Sequence, residues 1–184
     1  MRHEWIATRE NCLLLIIDIQ QAMVKVMERG DEVVACVNQL CRAADVLDIP
    51  IVLTEQYKKG LGPTIPEVIG AVSSPAVFEK EHFSACLEPD FTGSIRAYSR
   101  PEIVLAGMET HVCVLQTALD LLHAGFRVHL VADAVCSRVD NNRDIAVDQL
   151  RHAGAVVTST EIVIFEWARR ANTDAFRRIL PIVK

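Results

Sequence analysis

Short, mainly apolar runs spaced along the chain constrain the fold more than any other feature of this sequence. The first run, CLLLIID at 12–18, shows no alternation of polar and apolar residues, which is typical of a strand buried on both faces. Segments with helical spacing separate the runs, and this alternation indicates an α/β protein with a parallel, doubly wound sheet. The six predicted strands are at residues 12–18, 51–53, 76–78, 103–106, 126–131 and 155–158.

Helices are predicted between these strands from apolar stripes and from residues that favour helix ends. Asp31 is expected to cap the first helix, and Thr110 the helix after the fourth strand. Ser159 or Thr160 is expected to cap a later one. A polar, glycine-containing loop is predicted at 54–63, and loops of that length often bind ligands. The predicted helices are at residues 32–47, 88–97, 110–124, 140–152, 160–167 and 173–180.

Composition and charge exclude several classes of protein. The 184 residues, 51% of them hydrophobic, suffice for one domain over residues 1–184 with a large core. A net charge of −5 and scattered basic residues give no electrostatic footprint for nucleic acid. No apolar stretch approaches the roughly 18 residues that span a bilayer, and the N-terminal apolar run lacks a secretory cleavage pattern. We therefore expect neither nucleic acid nor a membrane as a partner.

The six cysteines predict a reducing compartment. They form no C-x-x-C pair, and several stand inside apolar runs. This usage is typical of reduced, mostly buried thiols, and it favours a cytoplasmic location over a disulfide framework.

Cys113 stands where the fourth predicted strand gives way to a helix. Gly107 ends the apolar run 103–106, and Cys113 falls in the first turn that follows. Unpaired N–H groups and the positive end of the helix dipole at such a junction favour a thiolate, so Cys113 is a candidate nucleophile. The alternative is that Cys113 is one more small buried residue.

Polar residues also follow the first three predicted strands. Asp18, Gln56 and Lys80 stand at or just beyond the ends of strands one, two and three. Right-handed crossovers place all carboxyl ends of parallel strands on one edge, where ligands bind in open α/β sheets. Taken singly, Asp18 could be a solvated acid and Lys80 a surface residue. Together with Cys113, they indicate an active site at this edge.

Several segments resemble the isochorismatase-like cysteine hydrolases, over almost the whole chain. The resemblance rests on Asp-Ile-Gln at 18–20, KEHFSA at 80–85, GMETHVC at 107–113 and VADA at 131–134. Within that superfamily, TEQYKKGLG at 54–62 is similar to the branch of isochorismatase domain-containing proteins, whose members mostly lack a settled substrate.

The resemblance implies a three-layer Rossmann-like fold with a six-stranded parallel sheet and a catalytic triad of Cys113, Asp18 and Lys80. It also implies a non-proline cis peptide bond at Met108–Glu109 and an oxyanion hole made by the backbone N–H groups of Glu109 and Cys113. In such a site Cys113 attacks an amide carbonyl, Asp18 takes the thiol proton, and Lys80 holds the carboxylate and helps to stabilise the thiolate.

The sequence departs from the metal-dependent members of this superfamily. Nicotinamidases carry an Asp-x-His motif after strand two, whereas residues 54–57 here read TEQY. The six histidines form no ligand-spaced pair. We therefore expect no metal and no other cofactor, and we do not expect nicotinamide as the main substrate.

The leading hypothesis is a metal-independent hydrolase that cleaves a small amide or related C–N bond through a thioester. Gln20, Gln56, Tyr57 and Phe83 are the candidates to bind its small-molecule substrate. The alternative is a low-turnover binding or scaffolding protein that keeps the fold. A redox-responsive thiol protein is disfavoured because no resolving cysteine lies near Cys113 in the sequence. The apolar composition and the resemblance both lead us to expect a homo-oligomer.

Overall fold

The computed structural model describes residues 2–184 and contains a six-stranded sheet with parallel neighbours throughout. Its strands are β1 (Cys12–Ile17), β2 (Ile51–Gln56), β3 (Ala76–Lys80), β4 (Glu102–Met108), β5 (Arg127–Cys136) and β6 (Val156–Thr158). The order across the sheet is β3-β2-β1-β4-β5-β6, so the chain winds outward in both directions from the central pair. The predicted three-layer α/β fold with six parallel strands is confirmed.

Helices cover both faces of the sheet. Their bounds are α1 (Gln21–Val24), α2 (Gly30–Val46), α3 (Lys58–Leu61), α4 (Pro66–Ile69), α5 (Phe91–Ala97), α6 (Leu115–His123), α7 (Asp140–His152), α8 (Thr160–Ala168) and α9 (Asp174–Val183). A short 3₁₀ turn occupies Ala85–Leu87, and a π-helical turn at Thr110–Val114 leads into α6. The predicted loop at 54–63 is wrong in part, because β2 continues to Gln56 and α3 forms one helical turn.

Two apolar cores hold the sheet between its helix layers. All six residues of β1 are buried, and they point alternately to the two sides. Leu14 lies in the core shared with α2, α8 and α9, where Trp167 is fully buried. Leu15 lies in the core shared with α5, α6 and α7, which includes Leu121. Because each fully buried aliphatic side chain contributes about 1.5–3 kcal/mol, β1 is a fixed platform for the residues that follow it.

β4 approaches β1 closely at the carboxyl edge, and a glycine makes this possible. Gly107 pairs with Ile17 and has a φ of 125°, a value that side-chain-bearing residues rarely adopt. A Cβ atom at Gly107 would lie 2.1 Å from the carbonyl oxygen of Ile17. The glycine therefore brings the turn after β4 close to Asp18, the residue after Ile17.

β5 contains a bulge that is not predicted from the sequence. Leu105 of β4 pairs with Leu130, but Gly107 pairs with Val135. The two paired residues are therefore five positions apart in β5 and only two positions apart in β4. Arg143 of α7 secures the bulge by donating hydrogen bonds to the carbonyls of Ala132 and Val135. The fifth strand therefore extends to Cys136, five residues beyond the predicted end at residue 131.

Two of the predicted helix caps are wrong. α2 begins at Gly30, so that Asp31 lies inside its first turn. A carboxylate there still stabilises the helix by interacting with the positive end of its dipole. The buried Thr110 hydroxyl has no hydrogen-bond partner among residues 2–184, and Glu109 is the residue that precedes the turn. Ser159 is confirmed as a cap, since its hydroxyl accepts a hydrogen bond from the Ile162 amide.

Candidate active site

The carboxyl ends of three strands bring Asp18, Lys80 and Cys113 together. Asp18 follows β1, Lys80 is the last residue of β3, and Cys113 lies in the π-helical turn after β4. The side chain of Gln56, at the end of β2, lies between them. Its Oε1 is 2.5 Å from Lys80 Nζ and 3.9 Å from Cys113 Sγ. The edge predicted from the sequence is therefore where these groups meet.

Asp18 and Lys80 form an ion pair that is shut off from solvent. Oδ2 of Asp18 lies 2.8 Å from Nζ of Lys80, and the two side chains are 2% and 0% exposed. Thr54 donates a hydrogen bond to the other carboxylate oxygen, Oδ1, at 2.6 Å. Oδ2 has the Lys80 ammonium as its close partner, and an ionised carboxylate oxygen has two lone-pair sites. This oxygen therefore keeps a lone pair for another proton donor.

The backbone of Asp18 adopts a sparsely populated conformation. Its φ is 51°, which is unusual for a residue other than glycine and costs on the order of 1 kcal/mol. Hydrogen bonds hold the residue there, since its amide donates to the Thr54 carbonyl at 3.2 Å and its carbonyl accepts from the Gln20 amide at 2.8 Å. Strain that is fixed by surrounding contacts is common at functional sites.

Oxygen atoms enclose the ammonium group of Lys80. Besides its ion pair with the Asp18 carboxylate, it donates hydrogen bonds to Gln56 Oε1 at 2.5 Å, to the Phe83 carbonyl at 3.1 Å and to the His82 carbonyl at 3.4 Å. Because the side chain has no exposed surface, Lys80 acts on its neighbours through a fixed positive charge.

The Cys113 thiol is nearly buried and holds its proton firmly. Burial, followed by the negative charge of Asp18, raises its pKa to about 12, while the positive charge of Lys80 acts in the opposite direction. The expectation that the strand–helix junction favours a thiolate is therefore wrong for the resting protein. Desolvation outweighs the helix dipole, and the thiolate has to form by transfer of the proton to a neighbouring base.

The loop after β5 fixes the turn that carries Cys113, and this support is not predicted from the sequence. The Arg138 amide and its Nε both donate to Glu109 Oε1 at 3.0 Å. Ser137 Oγ lies 2.9 Å from Nδ1 of His111. Residues 25 or more positions apart make these contacts, and no local sequence signal pairs them.

The peptide bond between Met108 and Glu109 is cis in the structure. Among residues 2–184, neither the Glu109 amide nor the Cys113 amide donates to a side chain or to a loop carbonyl.

Gln20 does not lie on an accessible surface, contrary to its prediction as a substrate-binding residue. It is fully buried, and its Nε2 donates to the carbonyls of Gln56 and Gly62 at 2.9 and 2.6 Å. Its Oε1 accepts from the Gln56 amide at 2.8 Å. A polar residue at a strand end can face a cleft or the protein interior, and Gln20 instead ties the end of β2 to the segment after α3.

The other three substrate-binding candidates lie around the site. Gln56 touches both Lys80 and Cys113, as described above. Tyr57 and Phe83 each expose 55% of their surface and are free to contact a ligand at the rim. Phe83 also contributes through its backbone carbonyl, which accepts from Lys80.

Residues 2–184 contain no group of three or more His, Cys, Asp or Glu side chains arranged to hold a metal ion. In the same range, no helix is both long enough and apolar enough to cross a bilayer.

A parallel, doubly wound sheet with a strand-end cysteine beside a buried Asp–Lys pair defines an α/β protein of hydrolase architecture. The sequence profile of the isochorismatase domain matches residues 12–162. Isochorismatase family protein 1B of Dictyostelium discoideum is 36% identical over 180 residues, which cover 95% of this chain and 87% of that protein. Isochorismatase domain-containing protein 2A of Mus musculus is 37% identical over 177 residues, with coverage of 95% and 84%. The chain belongs to the isochorismatase family.

Solved structures show the same fold. The MAR1 ribonuclease of Caenorhabditis elegans superposes with a TM-score of 0.91 at 33% identity, covering 96% of this chain and 91% of that one. YcaC of Pseudomonas aeruginosa, solved with hexane-2,5-diol and covalent acrylamide, superposes with a TM-score of 0.90 at 26% identity, with coverage of 99% and 93%.

Proposed function

We propose that the protein hydrolyses a small amide or a related C–N bond, with Cys113 as nucleophile, Asp18 as general acid and base, and Lys80 as the fixed charge that holds Asp18. One observation carries the proposal: Asp18 Oδ2 keeps a free lone pair in a buried ion pair that adjoins the Cys113 thiol. A carboxylate so placed can take the thiol proton, which the buried thiol does not release by itself.

The proposed reaction has two halves. Cys113 passes its proton to Asp18 while its sulfur bonds to the amide carbon, and Asp18 returns that proton to the departing nitrogen. A water molecule then gives a proton to Asp18 and attacks the thioester, which releases the acid and restores the thiol. No step needs a metal ion or an external oxidant.

The amides of Glu109 and Cys113 are the proposed oxyanion hole. Preorganised donors of this kind contribute about 3–4 kcal/mol to such a reaction. The lack of side-chain or loop acceptors for the two amides supports the assignment.

Three further assignments stay proposals. Tyr57 and Phe83 are proposed to contact the substrate, because both are exposed at the rim. A homo-oligomer and a cytoplasmic location are proposed from the sequence, as argued above.

The test is release of ammonia or amine from a panel of small amides and ureas, measured for the wild-type protein and for Cys113→Ala. We expect turnover of at least one compound, lost in the variant. RNA belongs in the same panel, because one similar structure is that of a ribonuclease. Turnover that survives in Cys113→Ala, or cleavage of RNA alone, would contradict the proposal. No turnover of any compound would favour the binding or scaffolding role.

A further inference from the structure

Gln56 touches both the cation and the thiol of the candidate site. Its Oε1 accepts from Lys80 Nζ at 2.5 Å and lies 3.9 Å from Cys113 Sγ, within reach of a weak S–H donor. Gln56 is a predicted substrate-binding residue, but these contacts use its carbonyl oxygen before any substrate arrives.

The hydrogen-bond network fixes the orientation of the Gln56 amide. The ammonium of Lys80 can only donate, so Oε1 must face it. On the other side, Nε2 lies 2.7 Å from the Glu81 carbonyl, which can only accept. A flipped amide would lose both hydrogen bonds, and the assigned orientation leaves a single N–H of Gln56 uncommitted.

Gln20 in turn holds the backbone of Gln56. The Gln56 amide donates to Gln20 Oε1 at 2.8 Å, and Gln20 Nε2 donates to the Gln56 carbonyl at 2.9 Å. Gln20 is fully buried, so this support is shielded from water. The end of β2 is therefore fixed from behind, while its side chain reaches towards Lys80.

We infer that Gln56 is a positioning residue. It acts on the reaction by holding the Lys80 ammonium and by accepting a hydrogen bond from the resting Cys113 thiol. The inference deepens the proposed function and rests on it. If Gln56 contacted the substrate, it could use only its remaining N–H. A positioning role uses its contacts with Lys80 and Cys113, which are already present.

Alkylation of Cys113 tests this inference without requiring turnover. Rates are measured by peptide mass spectrometry with iodoacetamide, which carries an amide, and with methyl methanethiosulfonate, which does not. Gln56→Met keeps the length of the side chain but removes both polar ends, so we expect both reagents to slow by the same factor, about tenfold. Gln116→Met, on an exposed position of α6, is the matched control, and Cys36 is the internal reference.

A second variant protects the test against a folding defect in Gln56→Met. Gln56→Glu keeps an oxygen for Lys80 but places a second carboxylate beside the thiol, which disfavours the thiolate. We expect the rise of its alkylation rate with pH to move to higher pH, a change that a purely structural role would not produce. Slowing with iodoacetamide alone would show a substrate contact and overturn the inference. Rates equal to those of Gln116→Met, or an unmoved pH profile in Gln56→Glu, would overturn it as well.

If no amide in the panel is turned over but the alkylation pattern is as expected, the proposed function fails, while the control of the Cys113 thiol by Gln56 is upheld.

Discussion

At each edge of the sheet a cysteine lies beside a buried carboxylate that is paired with a cation. The carboxyl edge holds the candidate active site. At the amino edge, Cys12 Sγ donates to Glu102 Oε2 at 3.4 Å, and Glu102 Oε1 accepts from Arg127 Nη1 at 2.7 Å. Burial raises the pKa of the Cys12 thiol above its usual range, and Glu102 adds to the effect. The two groups of side chains are therefore alike in residue type and in the state of the thiol.

They differ in what is left unused. Both oxygens of Glu102 are committed, since Oε2 also accepts from the Thr8 amide at 2.8 Å. Cys12 has no exposed surface. Asp18 Oδ2, in contrast, is engaged by the Lys80 ammonium and by no backbone amide of residues 2–184, and Cys113 is 7% exposed. A free acceptor and an accessible thiol, more than the residue types, distinguish a reactive site from a structural one.

Replacing the two cysteines is expected to give the largest contrast. Cys113→Ala should lower amide turnover on the order of 10³-fold or more, because it removes the nucleophile. Cys12→Ala should leave turnover within about twofold but lower the free energy of unfolding by about 1–2 kcal/mol, since it leaves a small cavity in the core. Ammonia release and urea unfolding of both variants measure the two effects. A similar loss of turnover in both variants would contradict the distinction between the edges.

Neutralising the Asp18 carboxylate is expected to lower the reaction rate, whereas neutralising the Glu102 carboxylate is expected to lower stability. Asp18→Asn removes the general base and should lower kcat/KM about 10²- to 10⁴-fold. Glu102→Gln should leave kcat/KM nearly unchanged, but it should lower the free energy of unfolding by about 2 kcal/mol, because buried donors lose a charged acceptor. Steady-state kinetics and denaturant titration check the pair. If Glu102→Gln reduces kcat/KM as much as Asp18→Asn does, the amino edge is coupled to the chemistry.

A third expected effect concerns acid stability, and it arises near the amino edge. His129 in β5 is fully buried, and neither ring nitrogen has a hydrogen-bond partner among residues 2–184. Burial lowers its pKa to about 4, opposed by Glu102 and assisted by Arg127. An unfolded histidine binds a proton near pH 6.5, whereas the folded one does so only near pH 4. The stability that depends on this difference is present above pH 6.5 and is lost as pH falls towards 4.

The loss from this histidine should reach roughly 3 kcal/mol at its full extent. In His129→Leu, the free energy of unfolding should therefore fall less steeply between pH 7 and pH 4, as measured by urea titration at several pH values. Equal slopes in the variant and the wild-type protein would assign the acid sensitivity to other groups.

Much of the fold follows from patterns that are local in sequence. The apolar run of β1 predicts a strand and the helical stripe of α2 predicts a helix, because both predictions depend on periodicity alone. The alternation of such segments along the chain predicts the parallel topology. Right-handed crossovers then place Asp18 and Lys80 on one edge without further information. The bulge of β5 could not be predicted this way, because it depends on hydrogen bonds from Arg143 in a later helix.

The site was predictable in its location more than in its physical state. Strand ends and the family resemblance indicated Cys113, but the dipole argument gave the wrong direction for its pKa. Burial and the charge of Asp18 are properties of the assembled site, and they outweigh a local effect of the turn. Gln20 was misassigned for a related reason, because a polar residue at a strand end looks the same in sequence whether it faces ligand or backbone.

The bulge of β5 restricts how this chain can change in length. It adds three residues, an odd number, so Val131 and Ala134 face the same side of the sheet although their numbers differ in parity. In a regular strand, residues three positions apart face opposite sides, so straightening the bulge at its present length would turn Val135 into the wrong core. Deleting one residue as the bulge straightens would restore the faces, because positions two apart share a face. The length of this segment and its bulge are therefore tied to each other, although the segment contributes no side chain to the proposed chemistry.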